Sequence, residues 1–317
     1  MATGSGGDGV KGREIEPARP LAARIEASAL QAGLYLVATP IGTARDITLR
    51  ALDVLNSADL LAAEDTRVMR HLMAIHGIPL RGRRVLSYHD HNAEKARPAL
   101  MAALARGQSV AYASDAGTPL VADPGYRLAR EAAEAGARVH AIPGPSAPLV
   151  ALSLSGLPSD RFLFAGFPPH AKAARAAWLR QWAGVDATLI LFESPRRVKQ
   201  TLAELCEIDA NRVTVVAREL TKKFEEVIRG RAEDLAVDPR LDGLKGEVVM
   251  LLDRPTMREA GEDDLRAALL QRLSRMSVKD AAREVAEELG MPRRDVYQFA
   301  LALGAKEIGR ASCRERV

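Results

Sequence analysis

The residues best suited to chemistry sit in loops that follow apolar runs. The stretch Ser114-Asp115-Ala116-Gly117-Thr118-Pro119-Leu120-Val121-Ala122-Asp123-Pro124-Gly125 is the richest of them. Asp115 can accept hydrogen bonds from a ligand's amine or hydroxyls. Gly117 lets backbone approach a ligand closely, and Pro119 and Pro124 stiffen the turn. Taken alone, the loop fits an ordinary strand-to-helix turn equally well. In Glu64-Asp65-Thr66-Arg67, two adjacent acids and an arginine can orient a substrate or supply a base; the plain alternative is a helix start capped by Asp65 or Thr66. Ser87-Tyr88-His89-Asp90-His91-Asn92 carries two of the six histidines. His and Asp can ligate a metal, but no further Cys/His group accompanies them, so no metal is expected and hydrogen bonding to a substrate is favoured.

Three further loops share this placement. Thr39-Pro40-Ile41-Gly42-Thr43 can expose backbone N–H groups. It is neither G-x-G-x-x-G nor a G-K-[ST] loop, which disfavours nucleotide-phosphate binding. In Pro143-Gly144-Pro145-Ser146-Ala147, Ser146 can cap a helix or offer its hydroxyl to a ligand. Arg196, Arg197, Lys199, Lys222 and Lys223 follow two other apolar runs. They form a phosphate-contacting set or two solvated charged faces.

The elements that must position these loops alternate along the chain. Strands are predicted over 34–39, 60–63, 85–87, 110–113 and 139–142, and helices over 46–58, 66–76, 93–105 and 126–135. Pro98 lies within the third helix and could confine its regular part to the residues after it. A second unit has strands at 162–167, 188–192, 213–217, 225–229 and 247–252, and helices at 171–183 and 196–205. The expected fold class is α/β: two α/β domains with mostly parallel sheets, 32–149 and 150–256, and ligands at the carboxyl ends of the strands. Residues 1–31, with Gly4, Gly6, Gly7 and Gly9, read as a disordered arm. Over 262–305 the sequence reads as helix, tight turn, helix. Ser277 to Asp280 has capping-box form, Ala281, Val285 and Leu289 form a stripe, and Gly290 and Pro292 separate it from Val296, Phe299, Ala300 and Leu303. That pattern suits a helix-turn-helix or a packed helical hairpin. Residues 308–317 lack this periodicity and read as an appended, non-native tail.

Bulk properties narrow the classes. The 317 residues carry 45 Lys+Arg against 41 Asp+Glu, for a net charge of +4, with 47% hydrophobic residues. The last twelve residues supply +2 of this, so overall charge is poor evidence for nucleic-acid binding. There is no apolar run of membrane-spanning length. The only cysteines, Cys206 and Cys313, suit no disulfide framework. With no secretory h-region at the N-terminus, a cytoplasmic location is expected.

The ordered set of loops resembles the tetrapyrrole methylase family of S-adenosylmethionine enzymes, and within it the ribosomal RNA small subunit methyltransferase I group. ATPIGTARDITLRAL from Ala38, AEDTRV from Ala63, SDAGTPLVADPG from Ser114, PGPSA from Pro143, FLFAGFPP from Phe162, FESPRR from Phe192, VARELTK from Val216 and GEVVMLL from Gly246 carry it. The Thr39-Pro40 turn departs from the glycine-rich turn of the corrin-pathway members. The resemblance implies two α/β domains with S-adenosylmethionine between them, usually in a homodimer. It implies methyl transfer to a cytidine 2′-hydroxyl in the decoding region of 16S rRNA, with the 30S subunit as partner. It places Pro40, Ile41, Asp115, Gly117, Thr118, Ser146, Ala147, Phe192 and Leu220 around the cofactor. On this reading Glu64 or Asp65 acts as base or orienter. Arg67, His91 and Asn92 position the substrate, and Arg196, Arg197, Lys222 and Lys223 contact its phosphates. The rival readings are a methyltransferase of a tetrapyrrole or a protein, and a non-catalytic ribosome-assembly RNA binder.

Overall fold

The computed structural model describes residues 25–314, except 122, 124, 256–261 and 290; of 263, 264 and 304–314 it describes the backbone alone. In the first unit, β1 (Gly33–Val37), α1 (Leu49–Ser57), β2 (Leu60–Ala63), α2 (Thr66–Ile75) and β3 (Val85–Ser87) are followed by α3 (Ala93–Ala105), β4 (Ser109–Ala113), α4 (Tyr126–Glu134) and β5 (Val139–Ile142). The strands form one wholly parallel sheet in the order β3-β2-β4-β1-β5. Helices cover both faces, so β1 and β4 are buried along their whole length, as a parallel sheet requires.

Local chemistry sets the helix starts. The first helix begins at Leu49, three residues after the expected Asp46, because the Thr48 hydroxyl accepts the Ala51 N–H at 3.1 Å. In α2 the Asp65 carboxylate accepts the Arg67 N–H at 2.8 Å. Helix α3 runs unbroken from Ala93 through Pro98. Residues 25–31, expected in the arm, lie against α1: the Asp53 carboxylate accepts the Glu26 N–H at 2.7 Å, and Ile25 and Leu30 pack on the core. The remainder of that arm, 1–24, lies outside the described residues.

The second unit comprises α5 (Ala147–Ser155), β6 (Phe162–Phe164), α6 (Lys172–Ala183), β7 (Thr188–Glu193), α7 (Val198–Asp209), β8 (Val213–Arg218), β9 (Glu226–Arg231), α8 (Ala232–Val237) and β10 (Val248–Leu252). Its sheet, β6-β7-β10-β8-β9, corrects the expectation of mostly parallel strands. Only β6–β7 is parallel; β7–β10, β10–β8 and β8–β9 are antiparallel. Apolar runs do not encode direction. The short link between β8 and β9 permits a hairpin, and β10 inserts between β7 and β8. β6 is shorter than the expected 162–167 because the chain turns at Gly166, φ +75°. Buried Arg175 and Glu204 join α6 to α7 through two hydrogen bonds of 2.9 and 2.6 Å.

Two cores flank the first sheet and two the second. One of the latter packs Ala151 and Leu152 of α5 on Ile190, Val215 and Leu251, and includes Ile41 from the first unit. The C-terminal helices α9 (Glu262–Leu273), α10 (Val278–Leu289) and α11 (Arg293–Arg314) enclose a core of their own around Leu269, Val285, Val296 and Ala300. Ser277 caps α10, its hydroxyl accepting the Asp280 N–H at 3.2 Å. The helical backbone continues to Arg314, within the segment read from sequence as an appended tail.

Candidate active site

A cavity of about 510 Å³ opens where the loops of the two sheets meet. The first unit contributes Ile41 after β1, Ala116 to Thr118 and Val121 after β4, and Ser146 after β5, which leads into Ala147 and Pro148 at the start of α5. The second contributes Phe167 and His170 after β6, Phe192 to Pro195 and Arg197 from β7 and its loop, and Leu220 after β8. Because β10 runs antiparallel, its first residues Val248 and Val249, with Gly246 and Glu247 just before them, reach the same place.

Backbone and hydroxyl bonds fix the loops of the first unit. Thr39 and Gly117 exchange both backbone hydrogen bonds at 3.0 Å. The Thr39 hydroxyl donates to the Ser114 carbonyl at 3.0 Å, the Ser114 hydroxyl to the Gly117 carbonyl at 2.6 Å, and the Thr118 hydroxyl to the Pro145 carbonyl at 2.8 Å. Gly117 has φ +78°, and a Cβ there would stand 3.2 Å from Ile41 Cγ2. Across the cavity, Thr221 Oγ1 accepts the Thr43 N–H at 3.2 Å. A Cβ on Gly42 would lie 2.6 Å from Lys222 Cγ and 2.8 Å from the Leu220 carbonyl oxygen. Leu120, Glu219 and Thr221 hold φ of 71°, 50° and 61°. Such left-handed non-glycine residues concentrate where a fold spends stability on function.

Of the residues expected around a cofactor, Ile41, Gly117, Thr118, Ser146, Ala147, Phe192 and Leu220 line the cavity, whereas Pro40 and Asp115 stand beside it in the sequence of its lining. Asp115 Oδ1 accepts the Asp65 N–H at 2.8 Å, joining the β4 loop to the β2 loop. Arg197 also lines the cavity, but its guanidinium is held by buried Glu193 at 2.6 Å and reaches the Pro169 carbonyl at 3.3 Å. Lys222 is engaged by Glu219 and Glu247 at 2.9 and 2.8 Å. Lys199 pairs with Asp242 at 2.6 Å and Lys223 sits 5.5 Å from the Phe224 ring. Arg196 is exposed and forms no ion pair among the described residues.

Glu64, Asp65, Arg67, His91 and Asn92 do not line the cavity. They gather beside its first-unit wall, where Ser87 Oγ donates to the Glu64 carbonyl at 3.2 Å. The Asn92 side chain accepts the His89 N–H at 2.8 Å and donates to the Ser87 carbonyl at 3.0 Å, so it shapes its own loop. His91 is exposed. Among the described residues no cluster of His, Cys, Asp or Glu is arranged to hold a metal.

The two adjacent acids have opposite electrostatics. The Arg67 guanidinium and N–H hold the Asp65 carboxyl down at about 2. Burial, and then the Asp123 and Asp115 carboxylates, push Glu64 up to about 7, with the Asp115 N–H opposing them. Sequence reasoning gave Asp123 no role of its own. Its Oδ1 accepts the Tyr112 hydroxyl at 2.7 Å and the Gly125 N–H at 2.6 Å, while buried Oδ2 has no other donor. A proton on Glu64 can be shared with the Asp123 carboxylate, which is one cause of the raised value. Because the folded value lies above the usual 4.5, this proton stabilises the fold fully below about pH 4.5, and the contribution is lost as pH rises through about 7. Phe167, His170, Glu193 and Glu247 were also missed as site residues, though each lies in or next to a quoted motif.

The comparisons with known proteins define the class first. Residues 33–236 match the family of tetrapyrrole (corrin/porphyrin) methylases. Uroporphyrin-III-C-methyltransferase from Thermus thermophilus shares the fold, with a TM-score of 0.52 at 23% identity over 70% of this chain and 94% of that one. Diphthine synthase shares it with a TM-score of 0.54 at 20% identity, over 69% and 89%. The chain therefore belongs to the tetrapyrrole methylase family and, within it, to the ribosomal RNA small subunit methyltransferase I group. The protein of that name from Mesorhizobium japonicum is 48% identical over 88% of this chain and 95% of its own length. Its counterpart from Escherichia coli O157:H7 is 41% identical over 86% and 95%. Residues 259–304 match the RsmI C-terminal HTH domain.

Proposed function

We propose that this protein transfers a methyl group from S-adenosylmethionine to the ribose 2′-hydroxyl of a cytidine in the decoding region of 16S rRNA. In this reading it works in the cytoplasm, as a homodimer, on the 30S subunit. The observation that carries the reading is the cavity itself, lined from both sheets by the loops that join this chain to its group. Its volume suits a small-molecule site. Ile41, Phe192, Leu220 and Val249 offer apolar walls for a purine, Gly117 keeps the backbone open where a Cβ would fill the space, and Asp115 and Ser146 offer polar contacts. Bound there, S-adenosylmethionine supplies an electrophilic methyl group on a sulfonium.

The protein's own task is alignment and proton handling. Holding the acceptor oxygen in line is worth roughly 7–11 kcal/mol in well-oriented cases. Glu64 takes the hydroxyl proton, since a carboxyl titrating near 7 is half ionised at neutral pH and still basic enough to accept it. Asp123, itself held by the Tyr112 hydroxyl, keeps that carboxyl and its proton in place. Asp65 caps α2 and holds Arg67, whose side chain is 89% exposed and presents its remaining donors to solvent, where RNA can reach them. Arg196 supplies phosphate contact.

The test is tritiated methyl transfer from S-adenosylmethionine to 30S subunits lacking the modification, followed by nucleoside analysis. Label in 2′-O-methylcytidine is expected. Cofactor binding with no label in RNA would redirect the reading to a tetrapyrrole or protein substrate, and no cofactor binding to a non-catalytic RNA binder.

A further inference from the structure

We propose that Phe167 is the stacking platform for the nucleobase of the methyl-accepting nucleotide. The inference rests on the RNA methyltransferase reading above and extends it to how the acceptor is held.

Phe167 sits in the turn between β6 and α6, at the mouth of the cavity it helps to line. A large apolar ring normally seeks burial, yet this one is 58% exposed. Its support is rigid. Phe192 stands behind it at 5.2 Å between ring centroids, and Phe164 stands behind Phe192 at 4.9 Å. The Phe192 N–H donates to the Gly166 carbonyl at 2.9 Å, Arg197 donates to the Pro169 carbonyl at 3.3 Å, and Pro168 is buried. The turn therefore presents an aromatic surface with little freedom left to lose on binding.

The surrounding charge says which molecule would use that surface. The loop bonded to this turn carries Arg196, and Lys172 opens α6 directly after it; both are exposed and neither forms an ion pair among the described residues. Unneutralised cations beside an exposed aromatic are the usual elements of a single-strand nucleic-acid site: stacking on the ring, phosphates on the cations. S-adenosylmethionine has no phosphate, and its one carboxylate is outweighed by a sulfonium and an ammonium, so two free cations suit a phosphodiester chain better. Its purine already has buried walls in Ile41, Leu220 and Val249, each under 10% exposed. A 2′-hydroxyl can enter the cavity only if its nucleotide leaves the stack, and a ring at the entrance compensates the unstacked base.

The experiment measures steady-state methyl transfer to unmodified 30S subunits and calorimetric S-adenosylmethionine binding for wild type, Phe167→Ala, Phe167→Leu and Phe167→Trp. Phe167→Ala is expected to raise KM for the subunit roughly tenfold, as loss of one base–aromatic stack does, with cofactor affinity unchanged. Phe167→Leu should behave like alanine, because it is apolar but has no π face, and Phe167→Trp should restore the wild-type KM. Lost cofactor affinity with an unchanged subunit KM would assign the ring to the cofactor and overturn the proposal. Leucine performing as well as phenylalanine would overturn it too, by reducing the role to apolar burial. Wild type that binds cofactor but leaves 30S subunits unlabelled would instead refute the underlying reading.

Discussion

The loops above the first sheet and those above the second face one cavity but treat their carboxylates in opposite ways. In the second unit the three acids beside the cavity, Glu193, Glu219 and Glu247, each have a cation. Glu193 is held by Arg197 at 2.6 Å, and Glu219 and Glu247 share Lys222 at 2.9 and 2.8 Å. The Lys222 ammonium accordingly holds Glu219 below its ordinary value. In the first unit Asp65 has Arg67, but Glu64, Asp115 and Asp123 lean on one another, with only amide and hydroxyl donors for relief, and Glu64 is pushed up to about 7. The difference teaches that residue type alone does not assign a role. A neutralised glutamate braces a loop, whereas a crowded one keeps a proton that can be exchanged.

Substitutions can break this contrast or sharpen it. The largest effect is expected at Glu64. Glu64→Gln keeps the shape and the hydrogen bond to Asp123 but cannot accept a proton, so kcat should fall about 100-fold or more, with S-adenosylmethionine affinity nearly unchanged by calorimetry. Undiminished turnover would remove Glu64 from the mechanism. A smaller effect separates two cations that sequence alone could not rank. Arg196→Ala should weaken 30S binding several-fold and lower the slope of log affinity against log salt by about one, as for one lost phosphate contact. Lys222→Ala should leave that slope unchanged, because Lys222 is already spent on Glu219 and Glu247. Equal slopes for the two variants would dissolve the distinction.

Much of this was legible in the sequence, for identifiable reasons. The strand-to-loop transitions at Ala63 and Ala113 were visible because buried parallel strands are apolar throughout and end in Gly-, Pro- and Asp-rich turns, while β1 ends at Val37, two residues before the expected Thr39. Seven of the nine expected cofactor neighbours line one cavity, having come from motifs at strand ends. Strand direction in the second sheet was hidden, since β10 reads the same whichever way it runs. Pairing was hidden too. Nothing in Arg197 or Lys222 announces its carboxylate partner, and nothing in Asp123 announces Tyr112 and Glu64. Phe167 lay inside a quoted motif, but its exposure is a property of the folded turn alone.

The contrast between the two rims comes down to whether Glu64 is the group that must lose a proton. The direct measurement is the single-turnover rate of methyl transfer to 30S subunits, with saturating cofactor, between about pH 5 and pH 9. Glu64 is active as the carboxylate, so the rate should rise with pH through a midpoint near 7 and level off above it. In Asp123→Asn, which removes the neighbouring negative charge, the midpoint should move to lower pH. A rate independent of pH across that range in the wild type, or a midpoint unmoved in Asp123→Asn, would contradict the account.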